Sequence, residues 1–77
     1  MDANPQWIGD LNDDCTARWR GLLLRAEWMD DEIWWWCVYD ENGEEIASSN
    51  SPDAQQCTTG EYARGAAERS ARLYLGV

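Results

Sequence analysis

The chain has 77 residues and carries 15 acids against six bases, a net charge of −9, with no His, no Phe and no Lys, so that all six bases are Arg. That composition removes the commonest general base and the Schiff-base amine. It also removes a Cys/His zinc site, and three Cys cannot make an all-Cys one. The charge argues against direct binding to phosphate backbones, which needs Lys and Arg, and favours a basic partner or a site that ordinarily holds nucleic acid.

The length predicts one small domain, residues 1–77, with a thin core, since a chain of this size buries only about 60% of its unfolded surface. Apolar residues at 44% and aromatics at 12%, six of them Trp, predict a folded chain rather than a disordered one. The longest apolar run, Ile33–Tyr39, is too short to span a bilayer. Met1-Asp2-Ala3-Asn4-Pro5 has neither the basic region nor the apolar stretch of a signal peptide. The cytoplasm is the expected compartment. The odd count of Cys15, Cys37 and Cys57 fits reduced thiols better than a disulfide framework.

In chain order, residues 10–29 admit two readings. Leu11, Cys15, Trp19, Leu22, Ala26 and Met29 fit a helical period, which Asn12-Asp13-Asp14 would cap. Against this, Gly21 disfavours a helix, and a strand over residues 19–28, turning at Met29-Asp30-Asp31-Glu32, would give the next segment a partner. Ile33–Tyr39 is rich in β-branched and aromatic residues and reads as a strand. Asp40-Glu41-Asn42-Gly43-Glu44 follows, and Asn42-Gly43 is a strong hairpin signal. Glu45–Ser48 is the return strand, and Ser49-Asn50-Ser51-Pro52-Asp53 a loop. Thr58-Thr59-Gly60-Glu61 fits a capping box with Thr58 as N-cap. A helix over 59–75 stops at Gly76, and its Ala residues suit close packing on a sheet. The expected fold is α+β: a three-stranded antiparallel meander with the C-terminal helix on one face. The alternative is an N-terminal helix, a hairpin and a C-terminal helix.

The acids are unevenly placed. Residues 1–57 hold 13 of them against three Arg, a sum of −10, and residues 58–77 sum to +1. With a two-residue Asn42-Gly43 turn, Glu41 would face Glu44 and Asp40 would face Glu45, and like charges directly opposite are destabilising. A solvated turn, a metal site and an acidic interaction surface all fit the tip. The metal reading is weak, because Val38 stands where an EF-hand loop needs an acid and no helix precedes the loop. The acidic turn at Asp30-Asp31-Glu32 lies at the other end of the same strand, and Asp10, Asp13 and Asp14 form a third cluster. Such carboxylates can imitate phosphates before Arg-rich grooves, which take them as bidentate pairs. Trp34 and Trp36 share one face of their strand and Trp35 takes the other. If Trp35 faces the helix, Trp34 and Trp36 form an exposed anchor. In the competing reading the N-terminal segment, with Trp7 and Ile8, folds over that face and makes them core. Cys57 just before the helix has a setting that can lower a thiol pKa, but without His it has no dyad partner.

The run from Trp34 through Asn42-Gly43 to Ile46-Ala47-Ser48-Ser49, then a loop and a capped helix, resembles small strand-strand-helix domains of bacteria and their phages over residues 33–75. Separately, the size, acidity, absence of Lys and absence of catalytic groups are similar to small phage-encoded anti-CRISPR proteins, above all those that mimic DNA. That resemblance implies a non-enzymatic inhibitor in the bacterial host cell, without cofactor or metal. It would bind a CRISPR surveillance complex, or another basic nucleic-acid-binding protein, as a monomer. The expected contacts are Asp30, Asp31, Glu32, Asp40, Glu41, Glu44 and Glu45, with Trp34 or Trp36 as apolar anchor. The competing expectation is a small protein-, peptide- or sugar-binding domain using exposed tryptophans.

Overall fold

Strict inward–outward alternation governs the first half of the chain. In a computed structural model, which describes residues 4–50 and 57–77, Cys15, Ala17 and Trp19 are buried while Asp14, Thr16 and Arg18 between them are not. The elements are β1 (Ile8–Gly9), β2 (Asp14–Trp19), β3 (Leu22–Asp30), β4 (Ile33–Tyr39), β5 (Glu45–Ser48) and α1 (Gly60–Leu75). The strands pair antiparallel in sequence order, β1-β2-β3-β4-β5, and α1 covers one face. Of the expected loop before the helix, Ser51, Pro52 and Asp53 lie outside the described residues.

The α+β class, the meander and the C-terminal helix are as expected, but the sheet has five strands rather than three. The alternative N-terminal helix gives way to β2 and β3. The single strand expected over 19–28 divides at Arg20-Gly21, where Trp19 pairs with Leu22 and both loop residues have positive φ, 52° and 84°. That is a type I′ hairpin, whose twist matches the flanking strands. Gly21 therefore marks a turn, a second reason for a glycine there besides its poor helix propensity. β1 adds a short edge through Ile8↔Thr16 and Gly9↔Cys15.

The β4–β5 connection also differs from the expected two-residue turn. Tyr39 pairs with Glu45 while Val38 pairs with Ala47, so a bulge absorbs Ile46 and residues 40–44 form the loop. Asp40 therefore does not face Glu45. Its carboxylate instead accepts the amides of Asn42 (2.8 Å) and Glu44 (2.9 Å).

The core lies between sheet and helix. Trp34, Trp36 and Val38 of β4, with Leu22, Leu24 and Ala26 of β3, meet Ala63, Ala67 and Ala71 of α1. Thr59, one residue later than expected, is the N-cap and its hydroxyl accepts the Tyr62 amide at 3.1 Å, while Gly76 closes the helix with φ of 75°. At its start Gly60 touches Trp34. Farther along, Glu68 accepts the Trp7 indole N–H at 2.8 Å, and the Arg72 guanidinium lies 4.9 Å from the Trp19 ring centre. Among the described residues no helix is long and apolar enough to cross a membrane.

Candidate functional site

The acids of the turns have local duties first. Asp10 accepts the Asn12 amide (2.9 Å), Asp30 that of Asp31 (2.8 Å), and Asp40 those of Asn42 and Glu44. Asp does this in turns because its short side chain reaches backbone amides one or a few residues on. Other carboxylates are held elsewhere. Asp14 and Glu27 flank Arg25 at 3.3 and 3.7 Å, Glu45 accepts the Cys37 thiol, and Glu68 holds Trp7. Among the described residues Asp13, Asp31, Glu32, Glu41, Glu44 and Glu61 are left with side chains in neither a hydrogen bond nor an ion pair. These carboxylates are available to a partner at no internal cost.

The sheet sorts them to opposite ends. The register Asp14↔Glu27 brings the β1–β2 turn beside the end of β3, and Trp28 donates its amide to the Asp13 carbonyl at 2.6 Å. Asp10, Asp13, Asp14, Glu27, Asp30, Asp31, Glu32 and Glu61 thus share the end where α1 begins, with Arg25 and Arg64 as the bases there. Among the described residues, eight acids against two Arg give −6. Arg64 is committed locally, donating to the Leu11 carbonyl at 2.9 Å. The length of β4, seven residues or about 20 Å, separates this end from the other.

At the far end Asp40, Glu41, Glu44 and Glu45 have three Arg for company. Two shallow clefts of about 380 and 200 Å³ meet at Gly21, Asp40 and Glu41; Arg18 lines the larger and Arg20 the smaller, and Arg25, already paired with Asp14 and Glu27, reaches the larger from mid-strand. Arg72 and Arg20 both lie over the Trp19 ring, at 4.9 and 5.2 Å from its centre. Four acids against three Arg leave −1. Of the expected contact acids, the fold brings Asp30, Asp31 and Glu32 together with Asp10 and Asp13, and places the second group where arginines neutralise it.

Trp34 and Trp36 are not an exposed anchor. They are 8% and 6% exposed and lie under α1, because β4 turns its even-numbered residues to the helix. Trp35 takes the uncovered face, half-buried with the Arg25 guanidinium 5.8 Å from its ring centre. The exposed tryptophan is Trp28, 42% accessible, with Leu11, Met29 and Ile33 exposed at the same end. Sequence reasoning passed over these residues. The available signal was their position at the ends of an apolar run, beyond the reach of a single 16-residue helix.

Cys15, Cys37 and Cys57 are all buried, and no disulfide joins them. Burial raises the Cys57 thiol pKa, outweighing the opposing pull of Arg69 and Trp36, so the position before the helix does not activate it. Burial likewise raises Cys15 against the opposing pull of Arg64. It carries Cys37 up to about 11, with Tyr39 pulling it back and Glu45 pushing it further up. Thiols held in this state are poor nucleophiles. Among the described residues no group of three His, Cys, Asp or Glu is placed to hold a metal ion.

Set against protein-family models, curated proteins and solved structures, the chain matches none.

Proposed function

We propose that the chain is a non-enzymatic inhibitor protein that occupies a nucleic-acid-binding site on a basic partner. The observation that carries this reading is the polarity of charge among the described residues: −6 at the end built from the β1–β2 and β3–β4 turns, −1 at the other. Asp13, Asp31 and Glu32 are the primary contacts. Asp40, Glu41, Glu44 and Glu45 make a weaker second contact. The partner supplies Arg and Lys that ordinarily bind phosphates, and desolvated carboxylate–Arg pairs give the complex its specificity. The likeness in kind to small anti-CRISPR proteins makes a bacterial CRISPR surveillance complex the first partner to examine. The competing reading, a domain that binds through exposed Trp34 and Trp36, loses those residues to the core.

The test compares the two ends. Binding to such a complex is measured by competition with its target DNA, at low and high salt. Affinity should fall steeply with salt. Asp13→Lys with Asp31→Lys and Glu32→Lys should weaken binding by about 100-fold or more, and Glu41→Lys with Glu44→Lys by about tenfold or less. Equal affinity for all three proteins would remove the proposal.

A further inference from the structure

The acidic end carries apolar side chains that the fold leaves exposed. Trp28, Met29, Ile33 and Leu11 are exposed there at 42, 56, 39 and 47%. Trp28 continues the inward row of Leu22, Leu24 and Ala26, but the helix starts against Trp34 in the neighbouring strand and does not cover it. A register shift between Trp28 and Asp30 then turns the end of β3 outward. In a chain with so thin a core, a large aromatic left in water forgoes much of the 150–250 Å² that such a ring can bury.

The charges at this end limit what can cover Trp28. Asp10, Asp13, Asp30, Asp31 and Glu32 lie in the turns at this end, with the Asp13 carbonyl bonded to the Trp28 amide, and Arg64 there is committed to the Leu11 carbonyl. A second copy would set −6 against −6, and an anionic lipid surface would repel it in the same way. A partner that fits must offer a flat apolar wall beside Arg or Lys. Proteins that bind single-stranded nucleic acid have this arrangement: an aromatic or guanidinium plane stacks the base and neighbouring cations take the phosphates.

We infer that Trp28 enters a base-stacking pocket of a single-stranded nucleic-acid site on the partner, while Asp13, Asp31 and Glu32 stand where the adjoining phosphates would lie. This rests on the proposed function and specifies the kind of site. An aromatic ring flanked by carboxylates then replaces a nucleotide as a whole, where acids alone would replace only its backbone.

Two synthetic ten-residue peptides of equal charge provide the test, one alternating Arg and Ala, the other Arg and Trp, titrated against the intact protein. The wild type should bind the Arg-Trp peptide about tenfold more tightly than the Arg-Ala peptide, the scale of one stacked ring. Trp28→Ala should abolish that preference and leave Arg-Ala affinity within twofold. Trp28→Tyr should keep most of it. Asp31→Lys with Glu32→Lys should weaken both peptides together. A folded Trp28→Ala variant that keeps the preference, or a wild type without one, overturns the inference while leaving the charge reading intact. Salt-insensitive binding, or binding unchanged by charge reversal, overturns both. Should Trp28→Ala not fold, ¹⁹F spectra of the 5-fluorotryptophan-labelled wild type decide. The Arg-Trp peptide must then shift the resonance that Trp28→Tyr deletes, and a shift confined to other resonances overturns the inference.

Discussion

Glu32 holds a backbone φ of +58° at the tip of the β3–β4 turn, a region that costs residues with a Cβ about 1–2 kcal/mol. Glu has neither the freedom of Gly nor the local hydrogen bonding of Asn there, and its carboxylate has no partner among the described residues. Glu32→Gly should therefore raise stability by about 0.5–1 kcal/mol, or a few degrees in melting temperature, part of the gain being lost to the freer unfolded chain. The same variant should bind a basic partner less well. A stability gain with no loss of binding would show that Glu32 takes no part in the contact. Cys37 gives a residue-scale prediction about pH. Burial sets its thiol at about 11 in the folded chain against an ordinary 9.0. Its contribution to stability is complete below pH 9, declines as pH rises from 9 to 11 and is gone above that. Urea unfolding should show a loss between pH 8 and 10.5 of which Cys37 supplies about 2 kcal/mol, and Cys37→Ala should make it shallower by that much.

At the scale of elements, α1 sits close on the sheet because its buried stripe is Gly60, Ala63, Ala67 and Ala71. A Cβ built on Gly60 would lie 2.8 and 2.9 Å from the Trp34 ring, while one on Gly65 would meet nothing nearer than the Arg69 guanidinium at 3.4 Å. The two glycines should therefore respond oppositely. Gly60→Ala should destabilise by about 1–3 kcal/mol through overpacking, and Gly65→Ala should stabilise by up to about 1 kcal/mol through helix propensity. Thermal melting of both variants tests the packing, and a stabilised Gly60→Ala would contradict it. Much of this level was legible in the sequence. β4 and β5 fall where their β-branched and aromatic runs and the Asn42-Gly43 signal put them, and α1 differs from its expected start by one residue. β2 was missed because Leu11, Cys15, Trp19 and Leu22 satisfy a helical period, while the alternation of Cys15, Ala17 and Trp19 is too short to outweigh it. The decision rested on Arg20-Gly21, and a type I′ turn with Arg at a positive φ is not its commonest form.

Across the whole molecule, the charge acquires direction. The 15 acids and six arginines determine by themselves that the surface is strongly negative and that direct phosphate binding is disfavoured. The acidic turns at Asp30 and Asp40 were also legible, while the one at Asp10 read as a helix cap or an acidic cluster. Which acids act together was not, because that depends on register. Only the pairing of five strands puts Asp10 and Asp13 beside Asp31 and Glu32, and sets Arg18 and Arg20 near Glu41. The faces of Trp34, Trp35 and Trp36 were open for the same reason. Alternation states that neighbours point opposite ways, while the side that receives the helix is decided by where a 16-residue element with small residues on one stripe can lie. Composition, local periodicity and turn chemistry are properties of neighbouring residues, so the sequence alone determined them. The uncovered Trp28 and the −6 end arise from contacts between segments far apart in the chain, and those the tertiary structure alone decided.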